Sequence, residues 1–460
     1  MRTEIDILGS LEIEDSKLYG INTARALDNF KISRLSMSSL FIKSFAEVKL
    51  ACARTNFQLG YLEDEQFEAI FHACNEIING NYHDEFQLDA LQGGAGTSMN
   101  MNMNEVIANI ANQYLEEEVG SYKLVKPLED VNKHQSTNDV YPTAVKITVL
   151  YYLKQLEGET ALLQEEFQKR EKDFHSIIKL GRTQLQDAVP MTLGMEFSAY
   201  AEAIARDRWR IFKCRERIKV LNLGGTAIGT GLGAPQKYIF KVVENLKDIT
   251  GLVIARSENL VETTQNLDQF VEISGMLKTL AVNLLKISSD LRLLASGPDG
   301  GFGEINLPAV QSGSTIMPTK VNPVIPEAIS QVALKVMGND SILSSAVAMG
   351  NLELNQFMPL IAYTLIESLE ILNGGCLIFR EKCISGISAN AEVCKEKLLR
   401  SKTIATVLVP VLGYKKVEEL IRLSIESKVS VKDLIIEKNI IDEDRLEELL
   451  SPKRMYKLGF

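Results

Sequence analysis

The sequence predicts a mainly α-helical protein organised around a bundle of long helices. Three observations predict it. Apolar residues recur at helical spacing over stretches far longer than an ordinary helix, few strand patterns lie between them, and the stretches stop at glycine (Gly60, Gly80) or start at proline (Pro190).

In chain order, the first 40 residues mix short apolar patches with Gly20, Asn22 and Asn29 and read as irregular. Residues 38–59 read as a helix ending at Gly60. Residues 64–79 carry Phe67, Ile70, Phe71, Cys74, Ile77 and Ile78 as one stripe. Long helical patterns then cover 142–175, 190–220, 268–295, 324–348 and 355–382. The 268–295 segment is the clearest, with Phe270, Ile273, Leu277, Leu280, Leu284, Ile287, Leu291 and Leu294 on one face. At about 1.5 Å per residue it makes a rod of roughly 42 Å. Leu280, Ala281, Val282, Leu284 and Leu285 cover most of its circumference, which predicts burial against other subunits and hence an oligomer. Three short segments close the chain, 415–427, 431–438 and 442–450, with Ser430 and Asp442 as expected N-caps.

A chain of 460 residues buries a large core without disulfides. Its net charge of −10 argues against nucleic-acid and anionic-membrane partners. An anionic small molecule remains compatible, because a few local cations and helix N-termini can hold one. The six cysteines form no CxxC pair, and they read as buried thiols of a reducing compartment. Residues 1–10 hold no apolar signal core, and no apolar run reaches the roughly 18 residues of a membrane span. The expected location is the cytoplasm.

Four segments break the helical pattern, each rich in Gly, Ser, Thr and Asn. GGAGTSMNMNMNE at 93–105 has glycines that let backbone N–H groups approach a ligand, hydroxyls on Thr97 and Ser98, and amides on Asn100, Asn102 and Asn104. It is not GxGxxG and follows no strand, so a Rossmann site is excluded. NKHQSTND at 132–139 puts Gln135, Ser136, Thr137 and Asn138 in a row; His134 beside them reads as structural. Taken alone, each of these two segments equally describes a capped helix start. GRTQLQD at 181–187 carries Thr183 and Gln184 and precedes Pro190. GSTIMPTKVNP at 313–323 joins Ser314 and Thr315 to Lys320 and Asn322 in a loop suited to closing over an anion. Together they form a carboxylate-binding set with no metal-spaced cluster and no GxSxG.

At these segments the sequence resembles the aspartase/fumarase superfamily. GSTIMPTKVNPVIPE is similar to its signature loop. GGAGTSMNMNMNE, HQSTNDVYPTA, GRTQLQDAVPMTLG, YGINTARALDNF, NLGGTAIGTGL and ISAN at 387–390 fit further family blocks, in order, from about residue 10 to the C-terminus. The resemblance implies a three-domain fold: a mainly helical N-terminal domain (1–138), a central long-helix bundle (139–394) and a small C-terminal helical domain (395–460). It implies that the bundle is completed in a homotetramer whose active sites are shared between three chains. It also implies anti elimination from a succinyl-type dicarboxylate. Ser314 would be the general base, assisted by backbone N–H groups and Lys320. Thr97, Ser136, Thr137 and Thr315 would hold the carboxylate that takes up charge, Asn138 and Thr183 would lie near the leaving amine, and Lys320 and Asn322 would hold the other carboxylate.

Fumarases and some aspartases carry His where this chain has Gln184, and a neutral amide does not titrate near pH 7 as His does. Gln184 and the AIGTGL segment favour release of ammonia from L-aspartate. The alternatives are fumarate hydration, another amino-acid ammonia-lyase, or a catalytically weak structural homologue; the intact polar set speaks against the last. No cofactor is required by the resemblance, though some members are activated by a divalent cation such as magnesium, for which the sequence displays no site. Asp299 departs from the usual SGPR, and Gly233, Gly303 and Val409 stand where many aspartases have Asn.

Overall fold

The computed structural model describes residues 1–457; the last three residues of the expected C-terminal domain, 458–460, lie outside the described residues. The chain opens with a hairpin, β1 (Arg2–Asp6) and β2 (Gly9–Ile13), followed by α1 (Ile21–Asn29). This differs from the irregular stretch that local sequence suggests, because α1 is held from far along the chain. The Glu105 carboxylate accepts the backbone N–H groups of Gly20, Asn22 and Thr23 at 2.9, 2.9 and 3.1 Å. It also accepts Asn22 Nδ2 and Thr23 Oγ1. An acidic group at a helix N-terminus satisfies donors that the helix itself cannot. Gly20 is required there, since a Cβ would stand 2.5 Å from the Tyr122 hydroxyl.

Next come α2 (Ser39–Gln58), capped by Ser38, α3 (Asp64–Ile78) and α4 (Thr97–Tyr114). The helix α5 (Thr137–Asp173) begins at Thr137 rather than at residue 142, with Pro142 inside it. Pro142 has no N–H to give to the Asn138 carbonyl, and that carbonyl accepts Asn222 Nδ2 at 2.9 Å instead. The expected helix 190–220 is corrected more strongly. Residues 178–192 form an antiparallel hairpin, β3 (Ile178–Thr183) and β4 (Gln186–Thr192), with Pro190 opposite Leu180, and α6 starts only at Leu193 (Leu193–Ile218). The turn residues Gln184 and Leu185 both have positive φ, 53° and 61°. Hairpins favour such turns but usually signal them with Gly or Asn, and neither is present here.

The chain continues through β5 (Val220–Leu221), α7 (Gln236–Thr250), β6 (Ala255–Arg256), α8 (Leu260–Gln265) and α9 (Asp268–Leu294). Then follow β7 (Ile305–Asn306), α10 (Val324–Ala348), α11 (Met358–Lys382), β8 (Ser388–Ala389) and α12 (Ala391–Arg400). β5 pairs in parallel with β6, and β7 antiparallel with β8. The end of the described chain is α13 (Val409–Leu412), α14 (Tyr414–Ser427), α15 (Val431–Glu437), α16 (Glu443–Leu449) and α17 (Pro452–Tyr456). Ser430 caps α15 as expected, whereas Asp442 occupies the cap position of α16 without a side-chain cap bond. Ile404, Leu408, Leu420, Leu434, Ile435 and Leu446 share a small buried core.

All eight apolar residues of the α9 stripe are buried. Val282, which the sequence places on a nearly all-apolar helix, is 45 % exposed in the single chain. Residues 358–386 are long and apolar enough to cross a membrane, yet most of that stretch is buried inside the protein.

The chain divides into two compact units. The first comprises Met1–Glu157, Arg210–Thr279 and Lys335–Leu372, the second Gly158–Trp209, Leu280–Leu334 and the chain from Asn373 on. In the first, Phe41 and Phe45 pack on Tyr141 at 5.3 and 6.0 Å between ring centres. Asp340 joins Ser274 and Lys278 across α9 and α10, and Glu367 pairs with Lys335 across α10 and α11. In the second, Phe167 gathers Phe197, Tyr200 and Phe379.

Glu105→Gln puts an NH2 group against donors that now face a carboxylate. Its expected cost is about 2–4 kcal/mol, because buried donors lose a charged acceptor. Chemical denaturation checks this, together with faster proteolysis within the first 30 residues; an unchanged midpoint contradicts it.

Candidate active site

In the first unit, the starts of α4 and α5 lie against each other. Gly96, with φ +96°, allows this: a Cβ there would sit 2.6 Å from the Tyr141 ring. Ser136 is the N-cap of α5, its Oγ accepting Asn138 N at 3.2 Å, and Asp139 completes a capping box by accepting Ser136 N at 2.9 Å. The other oxygen of Asp139 accepts Gly224 N and Thr226 N, each at 3.1 Å, and Asn138 Nδ2 reaches Ala227 O at 2.7 Å. The glycine-rich loop 222–232 is thereby fixed against the start of α5. Burial raises the Asp139 carboxyl to about 6, against the lowering effect of its three backbone donors.

Thr137 Oγ1 accepts Asn100 Nδ2 at 3.1 Å, which leaves its own hydrogen free to donate. Thr97 is exposed, and its hydroxyl donates to Gly94 O at 2.8 Å, so its hydrogen is engaged within its own loop. His134 is structural: Nδ1 meets Asn56 Oδ1 at 2.7 Å, the ring packs edge-on against Tyr61 and Tyr238, and burial lowers its pKa.

In the second unit, Ser314, Thr315, Lys320 and Asn322 share one loop; Ser314 and Lys320, but not Thr315 or Asn322, line a cavity of about 470 Å³ within it. Half-buried Ser314 Oγ accepts two backbone N–H groups, from Ile316 at 3.2 Å and Met317 at 2.9 Å. The loop base is pinched by Gly313 N to Lys320 O at 2.9 Å and Asn322 Nδ2 to Gly313 O at 2.6 Å. The Lys320 side chain is exposed and makes no bond to Ser314. Thr183 and Gln184 stand exposed at the tip of the β3–β4 hairpin. Arg182, next to Thr183, pairs with fully buried Glu304 at 2.5 Å, and Lys179 meets the same carboxylate at 3.0 Å. Burial opposes the charge on Glu304, but these two cations hold its carboxyl below the ordinary range.

Sequence reasoning missed Lys49, Asn132, Asp139 and Asn222. The capping box Ser136–Asp139 was a usable signal for one of them; the others depend on contacts distant in sequence. Lys49 is 1 % exposed, and its ammonium donates to Asn132 Oδ1 at 3.1 Å and Gln135 Oε1 at 2.8 Å.

Residues 9–338 match the family described as Lyase, and residues 404–457 match the one described as Fumarase C C-terminus. The chain is 45 % identical over 457 residues to an aspartate ammonia-lyase of Helicobacter pylori, covering 99 % of this chain and 98 % of that one. It is 43 % identical to an aspartate ammonia-lyase of Bacillus subtilis, covering 100 % and 96 %. The chain belongs to the aspartase/fumarase superfamily. Among solved structures, a cobalt-bound fumarate lyase:delta crystallin of Brucella melitensis superposes with TM-score 0.94 at 43 % identity, covering 99 % of both chains. A class II fumarase of Schistosoma mansoni superposes with TM-score 0.94 at 32 % identity, covering 100 % of both.

Two departures from the superfamily's aspartases have a backbone explanation. Gly233 and Gly303 have φ of +90° and +56°, and Gly and Asn are the residues that tolerate this region best. Asp299 is exposed, and nothing in the structure explains it or Val409.

Burial lowers the Lys49 pKa from 10.5 to about 7. The folded state therefore binds fewer protons than the unfolded chain between these values, and the stability lost to charging Lys49 is regained as pH rises from 7 toward 10.5. The melting temperature of wild type minus that of Lys49→Met is expected to increase between about pH 7 and 9. A constant difference contradicts it.

Proposed function

We infer that this chain is an aspartate ammonia-lyase, releasing ammonia from L-aspartate to give fumarate. The observation that carries this is full-length identity of 43–45 % to curated aspartate ammonia-lyases, with Gln184 where fumarases and some aspartases have His. In the reaction a base removes a proton from the carbon beside one carboxylate. The C–H electrons spread into that carboxylate as an aci form, then return to make the C=C bond as the C–N bond breaks and the amine leaves with its electron pair.

Ser314 is the base in this reading. A serine is a poor base unless it is deprotonated, and two backbone N–H groups on its Oγ support the alkoxide, as hydrogen bonds to a charged form lower a pKa. Ser136, Thr137 and Thr315 hold the carboxylate that gains charge, and preorganised donors of this kind supply about 3 kcal/mol each; Thr97 joins them when its hydroxyl turns away from Gly94 O. Asn138 and Thr183 lie at the amine, Gln184 bonds a carboxylate, and Lys320 and Asn322 hold the second carboxylate. Lys320 must approach Ser314 on closure to assist it. The chain works as a homotetramer in the cytoplasm, with each site drawn from three chains, and its domains divide at residues 138 and 394. The separate family match over 404–457 and the small core around Leu434 support the last of these boundaries.

Purified protein is expected to form fumarate, followed by ultraviolet absorbance, from L-aspartate and not from L-malate. Turnover of malate alone overturns this reading. Ser314→Ala is expected to lower kcat by about 10²- to 10⁴-fold, the usual contribution of a general base; near wild-type rate contradicts the assignment. Val282→Glu is expected to break the assembly, as read by sedimentation; an unchanged oligomer contradicts the role of that α9 face.

A further inference from the structure

The buried cluster beneath the start of α5 has a direction. Lys49 Nζ donates to Asn132 Oδ1, and Asn132 Nδ2 donates the other way to Gln135 O at 3.4 Å, so the Asn132 atom facing Lys49 is the oxygen. That same oxygen accepts Asn100 Nδ2 at 3.2 Å and Asn104 Nδ2 at 3.2 Å. The side of Asn100 that faces Asn132 must then be its NH2 group. The second hydrogen of that NH2 goes to Thr137 Oγ1 at 3.1 Å. Thr137 accepts, and its own hydrogen is left for something else. Gln135 adds to the constraint: its NH2 is engaged with Val131 O at 2.8 Å, so its oxygen faces Lys49.

A cost confirms that the orientation is imposed. The Oδ1 atoms of Asn100 and Asn104 are buried with no hydrogen-bond partner. Idle buried acceptors call for an explanation, and the Lys49 donor at the far end of the chain supplies one.

We propose that Lys49, acting through Asn132 and Asn100, turns the Thr137 hydroxyl outward as a hydrogen-bond donor to a substrate carboxylate. Lys49, Asn132 and Asn100 are positioning residues; none touches substrate. The proposal rests on the reading of Thr137 as a carboxylate ligand in an aspartate ammonia-lyase. Without Lys49, only the longer bond from Asn132 Nδ2 to Gln135 O holds that amide; as it turns, Asn100 follows, and the Thr137 hydrogen is drawn inward to the Asn100 oxygen.

A double-mutant cycle on kcat/KM for fumarate formation from L-aspartate tests this. Thr137→Val is expected to lose about 10- to 100-fold, the loss of one hydrogen bond to a charged group. Lys49→Met is expected to lose about tenfold in the wild-type background, but under about twofold when Thr137 is already Val, because coupled residues are not additive. Lys49→Arg keeps N–H donors at this position and restores most of the loss. Asn100→Leu repeats the cycle if Lys49→Met does not fold. Equal losses in both backgrounds mean general damage and overturn the proposal while leaving the functional reading intact. Full activity in Thr137→Val overturns the assignment of Thr137 and the proposal with it. A folded wild type that makes no fumarate overturns the functional reading itself.

Discussion

Much of the structure depends on one requirement: the polar starts of α4 and α5 are largely packed inside protein, so the backbone donors there need partners. Helix starts leave backbone N–H groups unsatisfied, and water cannot reach most of these. Asp139 answers for Ser136, Gly224 and Thr226, and so fixes a loop from a different part of the chain. Pro142 frees the Asn138 carbonyl for Asn222, which ties the same two segments again. Glu105 does the equivalent for α1. Hydroxyl groups suited to a carboxylate are presented because buried charges and amide NH2 groups behind them are already engaged.

The second unit uses the same logic with fewer parts. The Glu304 carboxylate holds the hairpin bearing Thr183 and Gln184 through Lys179 and Arg182. The neighbouring loop arranges two of its own N–H groups on Ser314. Its base is fixed by Asn322, while Ser314 to Lys320 stay more open to solvent. A fixed base with an open tip suits a loop that closes over its ligand.

The long helices were legible because their signal is local and repeated: the α9 stripe is buried at all eight positions. The four polar segments were legible as compositional breaks, although as bare patterns they equally described caps and turns. Two features escaped. The β3–β4 hairpin turns on Gln184 and Leu185, residues that carry no turn signal although both have positive φ. The start of α1 depends on Glu105, and its Gly20 on the room left by Tyr122, both distant in sequence. Lys49 was invisible for a related reason: on a helix it reads as a solvated charge, and only the fold reveals the amides that surround it.

The central claim is that hydroxyls at the start of α5 and the Ser314 loop serve one elimination site assembled from different chains. The most direct measurement mixes two proteins of much reduced activity. One carries Ser314→Ala and the other Ser136→Ala with Thr137→Val; they are dissociated, recombined and assayed for fumarate release from L-aspartate. If the site is shared between chains, the mixture gains activity well above that of either protein alone, because some sites then draw both intact segments from different subunits. If the recombined assemblies are folded and gain no activity, the two sets of residues do not meet across subunits and the account is wrong.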